Sequence, residues 1–289
     1  MTRLGGPAAA TGAAIVLLVV LCAIFVPLLA PYSPTEISMQ HRLEPPSAAF
    51  LFGTDQAGRD VFSRVLWGAR PSLQVGMVAV VIGLVGGVSL GLWAGYHAGH
   101  WLEQAVMRVL DATAAIPLLI WAIAAIGIIG VDPVRLGPIV LPNEFKVMVL
   151  LGFLYIPGLA RLTHASAKAE SRSEYVDARR LQGVPEWRII VSDVLPNCLP
   201  PVIVQATLLV AVGIVVEAAV SFVGLGVQPP ASSWGTMLAE ARNYLFSGDW
   251  WLSLFPGLAI SLTVIGFNLL GDGLRDVLDP RRNTAPLTA

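Results

Sequence analysis

The amino-acid sequence predicts an all-α fold, a polytopic bundle of about six membrane-spanning helices. Composition is the first reason: 55% of the 289 residues are hydrophobic and only 13% are charged, whereas soluble domains carry about 25% charged residues. The second reason is that long apolar runs recur along the chain, and most approach the ~20 residues that a spanning helix needs. A chain with so little charge cannot cover the surface of a soluble globule.

Six apolar runs account for the predicted spans: Gly12–Ala30, Ser72–Gly95, Ala114–Gly130, Val147–Leu162, Leu199–Val223 and Trp251–Leu270. The first run follows a single basic residue, Arg3. It exceeds the about 7–15 apolar residues of a cleaved signal peptide, so we expect a membrane anchor. The second run carries small residues that favour close packing of helices, namely Gly83, Gly86, Gly87, Gly91 and Gly95.

The chain divides into three predicted parts. Residues 1–70 hold the first span and an extracytoplasmic segment, residues 71–282 hold a five-helix core with a cytoplasmic loop, and residues 283–289 form a tail. Prolines after the first span favour turns. A short helix is then predicted before Pro71, in which Asp60 precedes Arg64 by four residues, the favourable order for an ion pair.

The distribution of basic residues predicts the orientation in the membrane. With the N-terminus and C-terminus inside, the inner segments carry eleven of the basic residues and the outer segments carry seven. The excess agrees with the tendency of cytoplasmic loops to be positive. Four arginines in the first outer segment count against it.

The sequence lacks the motifs of several classes of protein function. Neither Lys146 nor Lys168 follows a glycine, so the chain has no phosphate-binding loop and cannot bind ATP in that manner. The net charge of −1 gives no argument for a nucleic-acid partner. Cys22 and Cys198 are too few for a disulfide framework. We therefore expect no catalytic residue, metal or cofactor on this chain.

One group of residues supports a rival interpretation as a membrane enzyme. His97, His100 and Glu103 are spaced three apart and could share a helix face. Structural zinc sites usually need four ligands, and the neighbouring Gly95 and Gly99 weaken a helix there. Polar residues at a membrane edge explain the group better than a metal site does. A scaffold without a transport path is a third interpretation.

Two segments with apolar residues at helical spacing predict amphipathic helices outside the spans. The first covers residues 102–109, and the second covers residues 187–194 with an apolar face through Trp187, Ile190, Val191 and Val194. Either helix could lie at the membrane interface or pack beneath the bundle.

Glu217 is an acidic residue within the fifth apolar run. Charged groups in hydrocarbon are costly and usually face the bundle interior or a wet cavity. The residue therefore lines a possible translocation path or makes a structural hydrogen bond, and the sequence leaves both open.

The richest polar stretch of the chain covers residues 168–198. Ser173 is a candidate N-cap, Gly183 is a natural helix stop, and Pro185 prevents the helix from continuing. The sequence thus predicts a short, highly charged helix, isolated between two breakers and suited to docking a soluble partner.

This loop resembles the "EAA" loop of the permease subunits of ABC importers. The family pattern is Glu-Ala-Ala, three residues, Gly, nine residues, Ile, one residue and Leu-Pro. The chain keeps the spacing through Asp177-Ala178-Arg179, Gly183 and Leu195-Pro196. Its identities differ from the pattern at Asp177, Arg179 and Asp193.

Further motifs resemble the dipeptide, oligopeptide and nickel branch of these permeases, and in particular its C-type subunit. They are GTDQAGRD at 53–60, SFVGLGVQPP at 221–230 and FNLLGDGLRD at 267–276. The resemblance covers about residues 28–282 and implies the type I ABC importer permease fold.

The resemblance also implies the roles of the loop and the partners of the chain. Glu174 to Gly183 would be the coupling helix, docking to one or two cytoplasmic ABC ATPase subunits that hold ATP and Mg. A second permease subunit and an extracytoplasmic solute-binding protein would complete the system in the inner membrane. The residues of the coupling loop would be Glu174, Tyr175, Asp177, Ala178, Arg179, Gly183, Leu195 and Pro196.

The cargo implied by the resemblance is a dipeptide or oligopeptide, with nickel complexes, glutathione or another small solute as alternatives. Arg179 adds a charge where the family pattern has alanine. We expect this charge to influence which ATPase docks.

Overall fold

The computed structural model describes residues 6–136 and 139–278, and most of these are helical. The predicted tail at 283–289 lies outside the described residues, as do Arg3, Arg281 and Arg282. A hairpin of two antiparallel strands, β1 (Val134–Leu136) and β2 (Ile139–Leu141), precedes the fifth helix. In chain order the α-helices are α1 (Gly6–Leu29), α2 (Val61–Tyr96), α3 (Trp101–Ala114), α4 (Leu118–Ile129), α5 (Asn143–Glu170), α6 (Glu174–Leu181), α7 (Glu186–Ile189), α8 (Leu195–Phe222), α9 (Trp234–Ala241) and α10 (Trp251–Leu278).

Five helices in the described part of the chain are long and apolar enough to cross a membrane. They are α1, α2, α5, the continuous α7–α8 unit and α10, and the count becomes six if α3 and α4 form one bent span. The predicted all-α bundle of about six spans is confirmed.

The third predicted span, Ala114–Gly130, is not one straight helix. α3 ends at Ala114, α4 begins at Leu118, and their axes differ by 83°. Proline disfavours helical geometry in the residue before it, and Pro117 itself has ψ 133° at the start of α4. α4 has 12 residues, a rise of about 18 Å, which is too short to cross ~30 Å of hydrocarbon alone.

The glycines of α2 pack it tightly against α5, as the sequence predicts. A Cβ at Gly87 would lie 2.6 Å from Cβ of Leu159, and one at Gly91 would lie 2.4 Å from the carbonyl oxygen of Ala160. Gly83 and Gly95 approach α5 equally closely. Because these glycines recur every fourth residue on one face, the two helices are in contact over most of their length.

α2 begins well before the predicted start of the second span. It starts at Val61 and contains Pro71, so the separate short helix predicted before that proline is wrong. Asp60 is the N-cap of α2 and accepts a hydrogen bond from the backbone N–H of Ser63 (2.8 Å). The predicted Asp60–Arg64 ion pair is also wrong, since Arg64 bonds Asp55 and Glu240 instead.

The two predicted amphipathic helices form, but α3 has no buried residue and the second helix buries a different face from the predicted one. α3 covers the segment at 102–109. In the second segment, α7 continues through a π-helical stretch, Ile190–Val194, into α8. Ile189 and Val194 are fully buried there, whereas Trp187 and Val191 are exposed. The wider π-helical turn changes which residues align.

Candidate functional site

The polar loop predicted between two spans forms α6, a helix of eight residues that follows α5 after a short turn. Glu174 and Asp177 lie in its first turn, and Arg179 and Arg180 lie in its last turn. This order of charges complements the helix dipole. Ser173 occupies the N-cap position, although its hydroxyl donates backwards to the carbonyl of Glu170 (2.6 Å).

The stop predicted at Gly183 is present. Gly183 has φ +74°, a conformation that glycine adopts without steric cost. The backbone N–H of Val184 donates to the carbonyl of Arg179 (3.3 Å), and that of Gly183 donates to the carbonyl of Arg180 (2.9 Å). This pair of bonds is the Schellman motif that closes a helix C-terminus.

α6 has one buried side and one exposed side. Val176 is fully buried in a small apolar cluster with Ala167 of α5 and Cys198 of α8. On the other side, Glu174, Asp177 and Ala178 are exposed. Leu181, at the end of the helix, is 90% exposed.

Tyr175 links α6 to the helices on either side of it. Its hydroxyl donates to the Glu170 carboxylate (2.7 Å) and accepts from the side-chain amide of Asn197 in α8 (3.0 Å). Burial and the bond to Glu170 raise the pKa of Tyr175 above its usual value. Leu195 and Pro196 are the first residues of α8; Leu195 packs against the cluster around Val176, and Pro196 is exposed.

Arg179 and Asp193, two of the departures from the family pattern, contact each other. Arg179 Nε lies 3.3 Å from Asp193 Oδ2. Sequence reasoning missed this pair because fourteen positions separate the two residues, and only the return of the chain through α7 brings them together.

Arg180 and Glu186 form hydrogen bonds with a residue at the end of α2. Arg180 Nη2 donates to the hydroxyl of Tyr96 (3.0 Å), and that hydroxyl donates to the Glu186 carboxylate. Tyr96 is the last residue of α2. The sequence gives no signal for this contact, since Tyr96 stands at the end of an apolar run far from the polar loop.

Glu217, the predicted candidate for a translocation path, is fully buried in α8. It accepts hydrogen bonds from Ser72 of α2 (3.0 Å) and Ser221 of its own helix (2.7 Å). Among the residues that the structure describes, its carboxylate is fully enclosed and joins α2 to α8.

At the opposite end of α2, an ion cluster joins the segment before α2 to α9. Arg64 donates to Asp55 (2.5 Å) and, through both terminal nitrogens, to Glu240 (2.7 and 3.1 Å). Arg59 bonds the same two carboxylates (2.6 and 2.7 Å), and Gln56 adds a bond to Glu240 (2.9 Å). Sequence reasoning missed Glu240, which lies 176 positions from Arg64.

The charge of Glu240 is favoured by these contacts. Burial alone would raise the pKa of its carboxyl, but the hydrogen bonds and positive charges of Arg64 and Arg59 outweigh burial and hold the pKa below its usual value. The contacts of Arg64 and Arg59 therefore favour the charged form of the Glu240 carboxyl.

The residues of the rival enzyme interpretation do not converge. The carboxylate of Glu103 forms a hydrogen bond with Nε2 of His164 in α5 (2.9 Å). It does not bond His97 or His100 in this structure. Across residues 6–136 and 139–278, no group of three His, Cys, Asp or Glu side chains is arranged to hold a metal.

Residues 87–284 match the family model described as the binding-protein-dependent transport system inner membrane component. Residues 7–46 match a model of the N-terminal transmembrane domain of oligopeptide transport permease C. The first match covers more than half of the chain and includes α6 and the loop that contains it.

Named relatives align along nearly the whole chain. A di/tripeptide transport system permease protein of Pseudomonas aeruginosa is 43% identical over 280 residues, covering 95% of this chain and 88% of that protein. A probable D,D-dipeptide transport system permease protein of Escherichia coli is 40% identical over 277 residues, covering 96% and 89%. A glutathione transport system permease protein of Pectobacterium atrosepticum is 38% identical over 267 residues, covering 92% and 84%.

Proposed function

This chain belongs to the family of binding-protein-dependent transport system inner membrane components, and from that premise we propose that it is the permease subunit of an ATP-driven importer of short peptides. The family is one of transport permeases rather than enzymes. The resemblance to the C-type subunit of the dipeptide and oligopeptide branch is confirmed.

Dipeptides and oligopeptides are the cargo that the relatives favour. The names of the Pseudomonas and Escherichia proteins refer to di/tripeptides and D,D-dipeptides, and that of the Pectobacterium protein refers to glutathione, itself a small peptide. Nickel complexes and other small solutes of the same branch are the alternatives, and none of these three names refers to them.

We assign the site of energy coupling to α6. The observation that carries this assignment is an isolated helix, closed by a Schellman motif at Gly183, that presents Leu181 at 90% exposure with Glu174 and Asp177 beside it. These exposed side chains are the part of α6 that a partner can contact. The partner would be one or two cytoplasmic ATPase subunits, which would hold the ATP and Mg.

The remaining arrangement of the proposed importer follows from this assignment. α6 and both termini would lie on the cytoplasmic side of the inner membrane, and the Arg64–Glu240 cluster would lie on the outer side. There a solute-binding protein would deliver peptide to a path formed with a second permease subunit. ATP binding would bias the bundle between inward-facing and outward-facing states, which is allosteric coupling between distinct sites.

Docking at α6 can be tested by co-purification. The chain is co-expressed with the ATPase and permease of neighbouring genes, extracted in detergent and passed over a size-exclusion column. We expect Leu181→Glu to abolish co-elution of the ATPase, because it places a charge at the centre of the apolar contact. Leu245→Glu is the matched control, since Leu245 is also exposed (57%) but lies beyond α9, at the other end of the bundle.

Gly183→Pro tests the same assignment by activity. Proline fixes φ near −65° and removes an N–H, so it would break both the positive φ of Gly183 and the bond to Arg180. We expect membrane insertion to survive and ATP hydrolysis to be uncoupled from peptide uptake. Normal substrate-driven uptake in this variant, or ATPase binding unaffected by Leu181→Glu, would refute the assignment.

A further inference from the structure

We propose that Tyr96 is a positioning residue that passes the movement of α6 to α2, and through α2 to the ion cluster at the opposite end of the bundle. The inference rests on the proposed function, since it requires α6 to move with the ATPase. It adds the residue that receives the movement and the element that carries it.

Tyr96 contacts α6 through both its hydroxyl and its aromatic ring. Its hydroxyl accepts from Arg180 and donates to Glu186, so one atom bridges α6 and α7. The guanidinium carbon of Arg180 also lies 5.5 Å from the centre of the tyrosine ring, within the range of a cation–π contact. Arg180 Nε lies 3.3 Å from Glu186, which closes a triangle of three side chains.

Other charged and polar groups around Arg180 hold it on the α6 side. Its Nη1 bonds Asp177 (2.9 Å) and the carbonyl of Ser171 (3.5 Å), and His97 packs beside the Tyr96 ring at 5.6 Å. Arg180 is thus fixed to α6 and to the turn before it. The Tyr96 hydroxyl is the point at which this group is bonded to α2.

α2 is suited to carry a displacement from this point. It is one helix of 36 residues that continues through Pro71, with a length of about 54 Å at 1.5 Å per residue. Its glycine face contacts α5 so closely that a Cβ would not fit at Gly87 or Gly91. Close packing resists sliding and compression, so the two helices should move together as a unit.

The far end of α2 bears the residue that organises the ion cluster. Arg64 lies in the first turn of the helix and bonds Asp55 and Glu240 at once. Glu240 belongs to α9, so a displacement of α2 along or about its axis changes the geometry that joins α9 to the segment before α2. The two polar contacts, at Tyr96 and at Arg64, therefore stand at the two ends of one helix.

The test uses Tyr96→Phe in the complete transporter, reconstituted in liposomes with its ATPases and binding protein. Phenylalanine keeps the ring and the cation–π contact but removes the shared hydroxyl. We expect the complex to assemble and hydrolyse ATP, while the number of peptides transported per ATP falls about threefold to tenfold, the range that the net loss of one ordinary hydrogen bond predicts. Tyr32→Phe is the matched control, because its hydroxyl makes only a long bond (3.4 Å) to Ala49 in the segment before α2.

A second comparison asks whether the effect travels along α2. Glu240→Gln weakens the cluster at the other end, and distant independent sites give additive effects. If α2 connects them, the double variant Tyr96→Phe/Glu240→Gln should be no worse in peptides per ATP than the more severe single variant. Multiplying losses would overturn the connection along α2.

The failure of this inference is distinguishable from failure of the proposed function. If Gly183→Pro uncouples transport but Tyr96→Phe keeps the wild-type ratio of peptide to ATP, α6 is the coupling helix and Tyr96 does not pass its movement. If both variants transport normally, the role of α6 itself is wrong. Should Tyr96→Phe fail to assemble, Arg180→Lys, which keeps the charge and loses the planar fork, takes its place in the same assay with the same two outcomes.

Discussion

Replacing Gly91 by alanine should destabilise the bundle more than its single methyl group suggests. A Cβ at this position would lie 2.4 Å from the carbonyl oxygen of Ala160 and 2.8 Å from Cβ of Thr163. Ordinary contacts begin at 3.4 Å. The first partner is backbone of α5, so no side-chain rotation can relieve the clash, and the two helices must separate locally by about 1 Å.

The size of the effect follows from two opposing contributions. Overpacking of this kind costs about 2–3 kcal/mol, and alanine recovers about 1 kcal/mol of helix propensity relative to glycine. The net loss is about 1–2 kcal/mol, which for a chain of this length lowers the melting temperature by roughly 2–8 °C.

Gly158→Ala is the matched control for this prediction. It lies in α5, and nothing stands within 4 Å of the Cβ that it would gain, so the same substitution should leave the melting temperature unchanged or slightly raised. The assay heats detergent-solubilised protein in steps and measures the monodisperse fraction by size exclusion. Equal melting temperatures for Gly91→Ala and Gly158→Ala would refute the close contact between α2 and α5.

Two further predictions concern the carboxylates of Glu240, which is partly buried, and Glu217, which is fully buried. The pKa of Glu240 is lowered in the folded protein, so the charged carboxylate stabilises the fold fully at pH values above 4.5, the ordinary pKa of the group, and this stabilisation is lost as the pH falls below 4.5. The melting temperature of Glu240→Gln should therefore fall less on acidification than that of the wild type. An equal fall in both proteins would contradict this prediction. Glu217→Leu should lower the melting temperature, because the hydroxyls of Ser72 and Ser221 lose the carboxylate that accepts their hydrogen bonds, at a cost of about 1–3 kcal/mol of stability for each hydroxyl. Glu217→Gln should retain the fold. Loss of uptake in folded Glu217→Gln would favour a role of this residue in the translocation path.

The sequence predicts the bundle well because long apolar runs have only one stable solution in a membrane, the helix. The sequence-based prediction fails where a distant residue pairs with a charged side chain and allows it to be buried. Arg64 is 3% exposed, which its charge alone would argue against. Because Glu240 and Asp55 compensate that charge, the helix predicted before Pro71 is part of α2 and not a separate element.

Local signals explain which parts of the polar loop could be predicted. Gly183 and Pro185 end α6 through the conformations of their own backbone. The end of the helix can therefore be predicted from the sequence without knowledge of the rest of the fold. The contacts of Tyr96 depend on where α2 ends relative to α6. No periodicity of the chain encodes that juxtaposition, and hydropathy marks Tyr96 only as the last residue of an apolar run.

The ion pair between Arg179 and Asp193 changes how the departures from the family pattern should be interpreted. Taken singly, Arg179 adds a positive charge to a docking helix and Asp193 places a carboxylate where the pattern has isoleucine. Together they neutralise each other at 3.3 Å within the chain and attach α6 to the π-helical stretch before α8. Arg179 is then engaged with its own chain, as Asp177 is through Arg180 (2.9 Å), and Glu174 is an exposed carboxylate on the same helix as the exposed Leu181. Discrimination among ATPases should therefore depend on Glu174 and Leu181 more than on Arg179, because long side chains already held in an ion pair must lose that pair before they can form another.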